Sequence, residues 1–409
     1  MLRLKGFSEP YKEYRLSDLF EKSSLKNKDG SISNVLTNSA QYGLISQKDF
    51  FDKDIANKEN TDGYYVVQPG DFVYNPRKSA TAPFGPFNCY KGDEPGLVSP
   101  LYTVLHPKTA FNIDYLMYLF ASPCWHKYVY MNGDKGARFD RVSIKTETFM
   151  DMPIHLPPDE EQIEQVEIAD CFSSVDDVIA DYEAQVENML NQKKGVMQKL
   201  FSQEVRFKKD DGGEYPDWEN VSLKALCTEI SDGNWIESKD QSEEGIRLIQ
   251  TGNIGVCCFD NKTGKEKWIS EETFLRLKCK EIFAGDIIAS RLPSPAGRAC
   301  ILPNINQRMI TAVDCTIIRT NDECEKEYLV QFMSSIEYFK QVEAFLAGGT
   351  RQRISRSNLE TIRVPKPHPD EQKKIAECLS AFDEAIDDLH KTVEHWKNIK
   401  KGLLQQLFV

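Results

Sequence analysis

Two stretches of the chain carry the same apolar rhythm. Ile168, Phe172, Val175, Ile179, Tyr182, Val186 and Met189 follow one another at alternating intervals of four and three residues, and so do Ile375, Leu379, Phe382, Ile386, Leu389, Val393 and Trp396. That alternation is the a/d seam of a heptad, which lays one amphipathic helix against another. A shift of 207 residues superposes the two sets, and each ends in a matching phrase, KKGVMQKLF at 193–201 and KKGLLQQLFV at 400–409. Each set is preceded by proline and acids, PPDEEQ at 157–162 and HPDEQ at 368–372. Carboxylates in a first turn suit the positive end of the helix dipole, so both stretches are predicted to start there. From start to closing phrase is about 40 residues, or about 60 Å of helix at 1.5 Å per residue. Two unrelated amphipathic helices on separate cores are the alternative, but the matched register favours helices that pack on each other. Lys193 and Lys400 extend the seam with an aliphatic stem and a polar head. Gly195 and Gly402 mark either a close approach between helices or a local weakening near their ends.

The repeat extends into the regions between the helices. YRLSDLF at 14–20 aligns with VSLKALC at 221–227, and the opening phrase LRLKGF at 2–7 echoes VRFKK at 205–209. PGDFVYNPRK (69–78) parallels AGDIIASRLP (284–293), where Gly-Asp marks a turn into a β-rich run. DYLMYLFAS (114–122) and EYLVQFMSS (327–335) are predicted helices. GARFDRVS (136–143) and GTRQRIS (349–355) each precede an apolar run ending in prolines. The chain therefore divides into a globular domain at 1–155, a spacer helix at 156–204, a second globular domain at 205–365 and a second spacer helix at 366–409. The fold class is α+β: two globular domains of mixed, β-rich structure with helices, separated by two long antiparallel coiled-coil helices in a pseudo-twofold tandem repeat. Under that symmetry the end of the second helix, near Phe408, should lie beside LRLKGF and the first domain, so that the termini nearly meet.

Composition changes this picture little. The net charge of −12 is concentrated: residues 156–205 hold 12 acidic and 3 basic residues, whereas 1–155 hold 18 and 19. A near-neutral domain can still present a basic face, because charge acts over a Debye length of roughly 8–10 Å. The acids Asp176, Asp177, Glu183 and Glu187 are expected on outer helix faces, toward a partner or solvent. Eleven scattered cysteines without C-x-x-C spacing argue for reduced thiols in a cytoplasmic protein, and six histidines show no metal-ligand grouping. No metal site is predicted, and neither a membrane span nor a secretory leader is expected.

Catalytic motifs are missing as well. There is no P-loop, FLAGGT at 345–350 is no phosphate cradle, and YNPRK at 74–78 lacks the second proline and aromatic of an amino-methyltransferase loop. No catalytic residues are assigned. The basic loops carry more: Lys135, Arg138, Arg141 and Lys145 in the first domain, and Arg351, Arg353 and Arg356 in the second, each set following a Gly-rich turn. Asn75, Arg77 and Lys78, with Ser290 and Arg291 at the equivalent place, form a second candidate lining. Arg reaches phosphates or guanine O6/N7, and Asn suits adenine, so these residues are the expected DNA contacts. Ordinary solvated charges or ion-pair partners are the competing reading for each of them.

Two non-identical globular domains separated by matched helices, each closed by K-K-G-[VL]-[ML]-Q-x-L-F, resemble the specificity subunit of type I restriction–modification systems. The LRLKGF start and the PDEEQ and PDEQ helix openings fit that family too, and the resemblance covers essentially the whole chain. It implies that each globular region is a target-recognition domain reading one half of a bipartite, asymmetric site in double-stranded DNA. It implies that the helices set the spacing and dock two modification subunits, which methylate adenine, with restriction subunits completing the assembly. S-adenosylmethionine, ATP and Mg would then sit on partner subunits, with no cofactor bound by this chain. A coiled-coil adaptor without DNA contact and a single-chain DNA-modifying enzyme are the competing functions.

Overall fold

The computed structural model describes residues 3–4, 6–47, 61–108, 112–134, 140–157, 163–346 and 352–408. It contains two compact units, Met1–Glu183 with Lys391–Val409, and Ala184–His390. Each unit thus combines one globular region with a part of both long helices. The helices span Ile163–Phe201 and Pro369–Leu407, 39 residues each. All the seam positions read from the heptad pattern are buried or half-buried.

In the first unit a four-stranded antiparallel sheet runs in the order Phe20–Lys22, Thr103–Pro107, Phe72–Tyr74, Phe87–Cys89. Its core is aromatic: Phe72 meets Phe20 and Phe120 edge-on at 5.1 and 5.8 Å, and Tyr74 stacks on Phe149 at 4.7 Å. The helix Ile113–Ala121 begins where the Asn112 side chain accepts a hydrogen bond from the Tyr115 backbone NH. It buries Tyr115, Leu116 and Leu119, four residues or fewer apart on one face. Phe172 of the first long helix stacks on Tyr118 at 4.8 Å and on Phe408 at 5.7 Å, so both chain ends of this unit meet in one core that Leu4 also touches. The proximity of Phe408 to the opening phrase expected from the repeat is therefore present. The helices run antiparallel here: Asp176 pairs with Lys400 and Glu183 with Lys397.

The second unit repeats the plan. Its four-stranded sheet runs Cys227–Asp232, Cys315–Thr320, Ile287–Ser290, Ala299–Ile301, all antiparallel. Ile287 opposes Ile318 and Ile301 as Phe72 opposes Leu105 and Cys89. The Gly-Asp turns match as well: Gly70 and Gly285 both adopt positive φ, and the following aspartates accept from the Gln68 and Phe283 backbone NH groups. A second sheet, Trp268–Ile269, Ile246–Ile249, Met309–Thr311 and Glu281–Ile282, includes a parallel pairing between its two central strands. The first unit has its counterpart in the antiparallel pairs Gly43–Ser46/Leu36–Ser39 and Gly96–Val98/Tyr65–Val67, which a parallel bridge between Val35 and Leu97 joins. The units thus share the pairing pattern of both sheets and diverge in strand lengths and in the loops between strands. Met197, Leu200 and Phe201 close the first long helix in the same core as Ile375 and Leu379 near the start of the second.

The helix openings do more than complement a dipole. Glu371 is fully buried and accepts from Arg206 Nε at 3.1 Å, Arg206 Nη2 at 2.8 Å and the Trp218 indole NH at 2.9 Å. In the first unit Glu164 accepts from Arg3 Nε at 2.9 Å. The arginines of LRLKGF and VRFKK are thus clamps on their helices. Two expectations are corrected. Asp176 is no outer-face acid, because Lys400 lies 2.5 Å away and the Tyr118 hydroxyl donates to it at 2.9 Å. Gly195 and Gly402 mark no close approach, since a Cβ there would meet nothing within 4 Å.

Candidate nucleic-acid interface

One end of the shared sheet gathers the basic loops in each unit. In the first unit the segment after the strand Phe72–Tyr74 pairs with the segment that follows the Gly-rich turn. The Val142 NH donates to the Pro76 carbonyl at 2.8 Å and the Lys78 NH to the Asp140 carbonyl at 2.9 Å, which brings Arg77 opposite Arg141. Arg77 and Lys78 are exposed. Arg141 is half-buried, with its Nε 3.6 Å from Asp140 and no hydrogen-bond partner. Asn75 is buried; its amide donates to the Asn38 carbonyl and its Oδ1 accepts from the Arg77 NH, so it shapes the loop that presents Arg77. Gly85 is required beside it, because a Cβ there would lie 2.0 Å from the Asn75 carbonyl oxygen. Lys145 is exposed at the start of a short helix, Thr146–Met150. Lys135 and Arg138 lie outside the described residues, as does Arg351.

The second unit builds the same junction. The Ile354 NH donates to the Arg291 carbonyl at 3.2 Å, as Val142 does to Pro76, so the repeat equates Pro76 with Arg291 and Asn75 with Ser290. Ser290 is fully buried, and its hydroxyl donates to the Leu292 carbonyl. Three arginines meet three carboxylates here, Arg356 Nε lying 3.3 Å from Glu360 one turn along its own helix. Arg291 Nη2 and Arg356 Nη1 lie 3.6 and 3.5 Å from Asp232, and Arg353 Nη2 lies 3.0 Å from Asp314. Arg291 is buried, which lowers its pKa, while the Arg353 and Arg356 side chains are 42% and 44% exposed. Exposed ion pairs are worth about 0–1 kcal/mol, so Arg353 and Arg356 can exchange these carboxylates for phosphate at little cost.

Three features of this edge escaped the sequence reading. Asp232 and Asp314, at the ends of neighbouring strands, hold the arginines in place. Arg298, buried, donates to the carbonyls of Thr251, Ile254, Leu292 and Pro295 and pins the loop after Ser290. Trp235 follows the strand that ends at Asp232 and is 68% exposed, its indole NH donating to Glu237 at 3.2 Å. Gly233 anchors that turn tightly: a Cβ there would meet the Thr311 carbonyl oxygen at 2.3 Å. An exposed aromatic three residues after Asp232 was detectable only as an isolated Trp in a polar run, a weak signal alone.

Among the described residues no group of three or more His, Cys, Asp or Glu is placed to hold a metal ion. The cysteines are free thiols, and burial pushes the Cys300 and Cys315 thiols up to about 12. No helix among the described residues is long and apolar enough to cross a membrane.

Comparison with known proteins agrees with the repeat. The type I restriction modification DNA specificity domain matches twice, at residues 8–192 and 215–395. The type I restriction enzyme MjaVIII specificity subunit of Methanocaldococcus jannaschii is 30% identical over 327 residues, covering 76% of this chain and 73% of that protein. The putative MjaX specificity subunit of the same organism is 28% identical over 305 residues, covering 72% of this chain and 66% of that protein. Among solved structures, the type I restriction–modification S subunit from M. genitalium superposes with a TM-score of 0.53 at 12% identity, over 100% of this chain and 98% of that one. A chain from a study of complex assembly and conformational transition in a type I restriction–modification system gives 0.55 at 15% identity, over 98% of each. Those two likenesses concern the fold. Taken with the doubled family match, they leave one assignment: the chain belongs to the type I restriction–modification DNA specificity family.

Proposed function

We propose that this chain is the DNA-reading subunit of a type I restriction–modification assembly, each globular region reading one half of a bipartite, asymmetric site in double-stranded DNA. The observation that carries this reading is the duplicated basic edge. The same strand junction presents Arg77, Lys78 and Arg141 in one unit, and Arg353 and Arg356 above the buried Arg291 in the other. Shared sheets carrying unlike loops suit two half-sites of unlike sequence, where a homodimer would read a palindrome. Arg353, Arg356, Arg77 and Lys78 reach phosphates or guanine edges, with Arg141 and Lys145 beside them; Lys135, Arg138 and Arg351 are proposed contacts from sequence alone. Asn75, Ser290 and Arg291 act from beneath, setting loop shape. Trp235 offers a face on which a base or sugar can stack.

The long helices set the spacing between half-sites and dock two modification subunits, and restriction subunits complete the complex. On this reading the chemistry and its cofactors, S-adenosylmethionine, ATP and Mg, belong to those partners, and the chain is a non-catalytic cytoplasmic protein. The test is selection from a randomised duplex pool by the chain with its modification subunits, repeated at several salt concentrations. Enrichment of a two-part motif is expected, with affinity falling steeply as salt rises. No enrichment would leave the adaptor reading. Methyl transfer or cleavage by the purified chain alone would establish the single-chain enzyme instead.

A further inference from the structure

Each unit contains a polar node set into the otherwise apolar seam. In the second unit Lys193, only 8% exposed, places its ammonium 2.6 Å from Asp383 Oδ1, and the Gln331 amide donates to Asp383 Oδ2 at 2.7 Å. In the first unit Lys400 lies 2.5 Å from Asp176 Oδ1, and the Tyr118 hydroxyl donates to Asp176 Oδ2 at 2.9 Å. The positions are equivalent in the repeat. Each node unites three elements: the lysine near the end of one long helix, the aspartate on the other, and a donor from the globular region. The third residue differs in type between the units, yet both supply a proton to the same carboxylate oxygen. What the two nodes share is therefore the donor geometry, not the residue.

Stability alone does not account for these nodes. The lysines are the more buried partners, Lys193 at 10% and Lys400 at 26% side-chain exposure, while both aspartates stay half-buried; an ion pair withdrawn from water even on one side is often no better than apolar side chains of the same volume. What a polar seam residue supplies is uniqueness of register. A slip of one heptad moves the partner by about 10 Å along the helix, which leaves the Lys193 ammonium buried and unpaired. The donor from the globular region extends the same constraint to the seat of that region on its helices.

We propose that Asp176 and Asp383 are positioning residues that lock helix register and recognition-domain orientation together, and so fix a single spacing between the two half-sites. This inference rests on the DNA-reading function proposed above. The test selects bound sites from a duplex library with randomised half-sites and variable spacer, using the full chain with its modification subunits. Asp383→Leu is expected to keep the bases read in both halves while the recovered spacers spread over neighbouring lengths. The charge swap Lys193→Asp/Asp383→Lys is expected to restore one spacing, since Gln331 can turn its amide and accept from the new lysine. Gln331→Leu leaves the ion pair intact and removes only the domain's tie, so it serves if Asp383→Leu fails to fold, and it too should spread the spacers. A single unchanged spacing in Asp383→Leu or Gln331→Leu overturns the proposal, as does a folded swap protein that remains spread. A wild-type complex that enriches no two-part site overturns the DNA-reading function and this inference together.

Discussion

Replacing Glu371 with alanine tests the helix clamp. The carboxylate is fully buried and accepts three hydrogen bonds, two from Arg206 and one from Trp218. Removing one partner of a buried ion pair costs about 3–5 kcal/mol, because the other charge is left uncompensated. Arg206 keeps some solvent and its bond to the Pro216 carbonyl at 2.7 Å, which places this case near the lower end. The stranded Trp218 NH adds about 1 kcal/mol. The expected loss for the transition that unfolds the second unit is therefore about 4 kcal/mol, and a unit of this size shifts its Tm by roughly 2–4 °C per kcal/mol. Melting followed by circular dichroism should fall by roughly 8–16 °C. Glu371→Gln keeps an acceptor and should lose about half as much, by the difference between charged and neutral hydrogen bonds. A double-mutant cycle with Arg206→Met isolates the coupling. A loss below about 1 kcal/mol for Glu371→Ala would refute the view that this pair closes the helix onto its domain.

Other consequences are equally direct. Gly195→Ala and Gly402→Ala should each raise helix stability by about 0.5–1 kcal/mol in urea unfolding, because a Cβ at either place meets only open space. Trp235→Ala should weaken DNA binding by about 1–3 kcal/mol in titrations, and tryptophan fluorescence should be quenched when the wild type binds. Arg353→Ala and Arg356→Ala should each flatten the dependence of log K on log salt by about 0.9 if the side chain meets a phosphate. The buried Cys300 and Cys315 thiols should resist alkylation at pH 8, read by mass spectrometry, because burial holds them protonated up to about 12. The sign for stability follows. The unfolded chain releases these protons from about pH 8.5 while the native state keeps them, so stability should fall as pH rises above that value.

The parts of the fold legible in the sequence are those that repeat. A seven-residue rhythm fixes which helix face is buried, so Ile168, Phe172, Ile375 and Leu379 could be named before any coordinates. The Gly-Asp turns and the paired helices around Tyr115 and Tyr328 followed from the same order of phrases in the two halves. Pairings between distant residues were less visible. Asp176 looked like a surface acid because its partner Lys400 lies 224 positions away and the Tyr118 donor 58 away. Glu371 looked like a dipole complement because nothing local announces Arg206. At the basic edge, the charge of Arg353 and Arg356 was legible but the carboxylates that hold them were not. The second sheet of each unit, in which Ile246–Ile249 lies parallel to Met309–Thr311 and Val35 bridges Leu97, joins segments distant in sequence. Register in such elements comes from tertiary packing, which one chain's pattern does not encode.

The most direct test of two unlike readers at one fixed spacing is in the cell. Adenine methylation can be mapped at single-nucleotide resolution in genomic DNA from cells that express this chain with its modification subunits, with cells lacking it as control. The account requires methylation, dependent on the chain, in one two-part motif whose halves differ and whose spacer has a single length. Methylation that persists without the chain, or a motif that is palindromic, contiguous or variable in spacing, would contradict it.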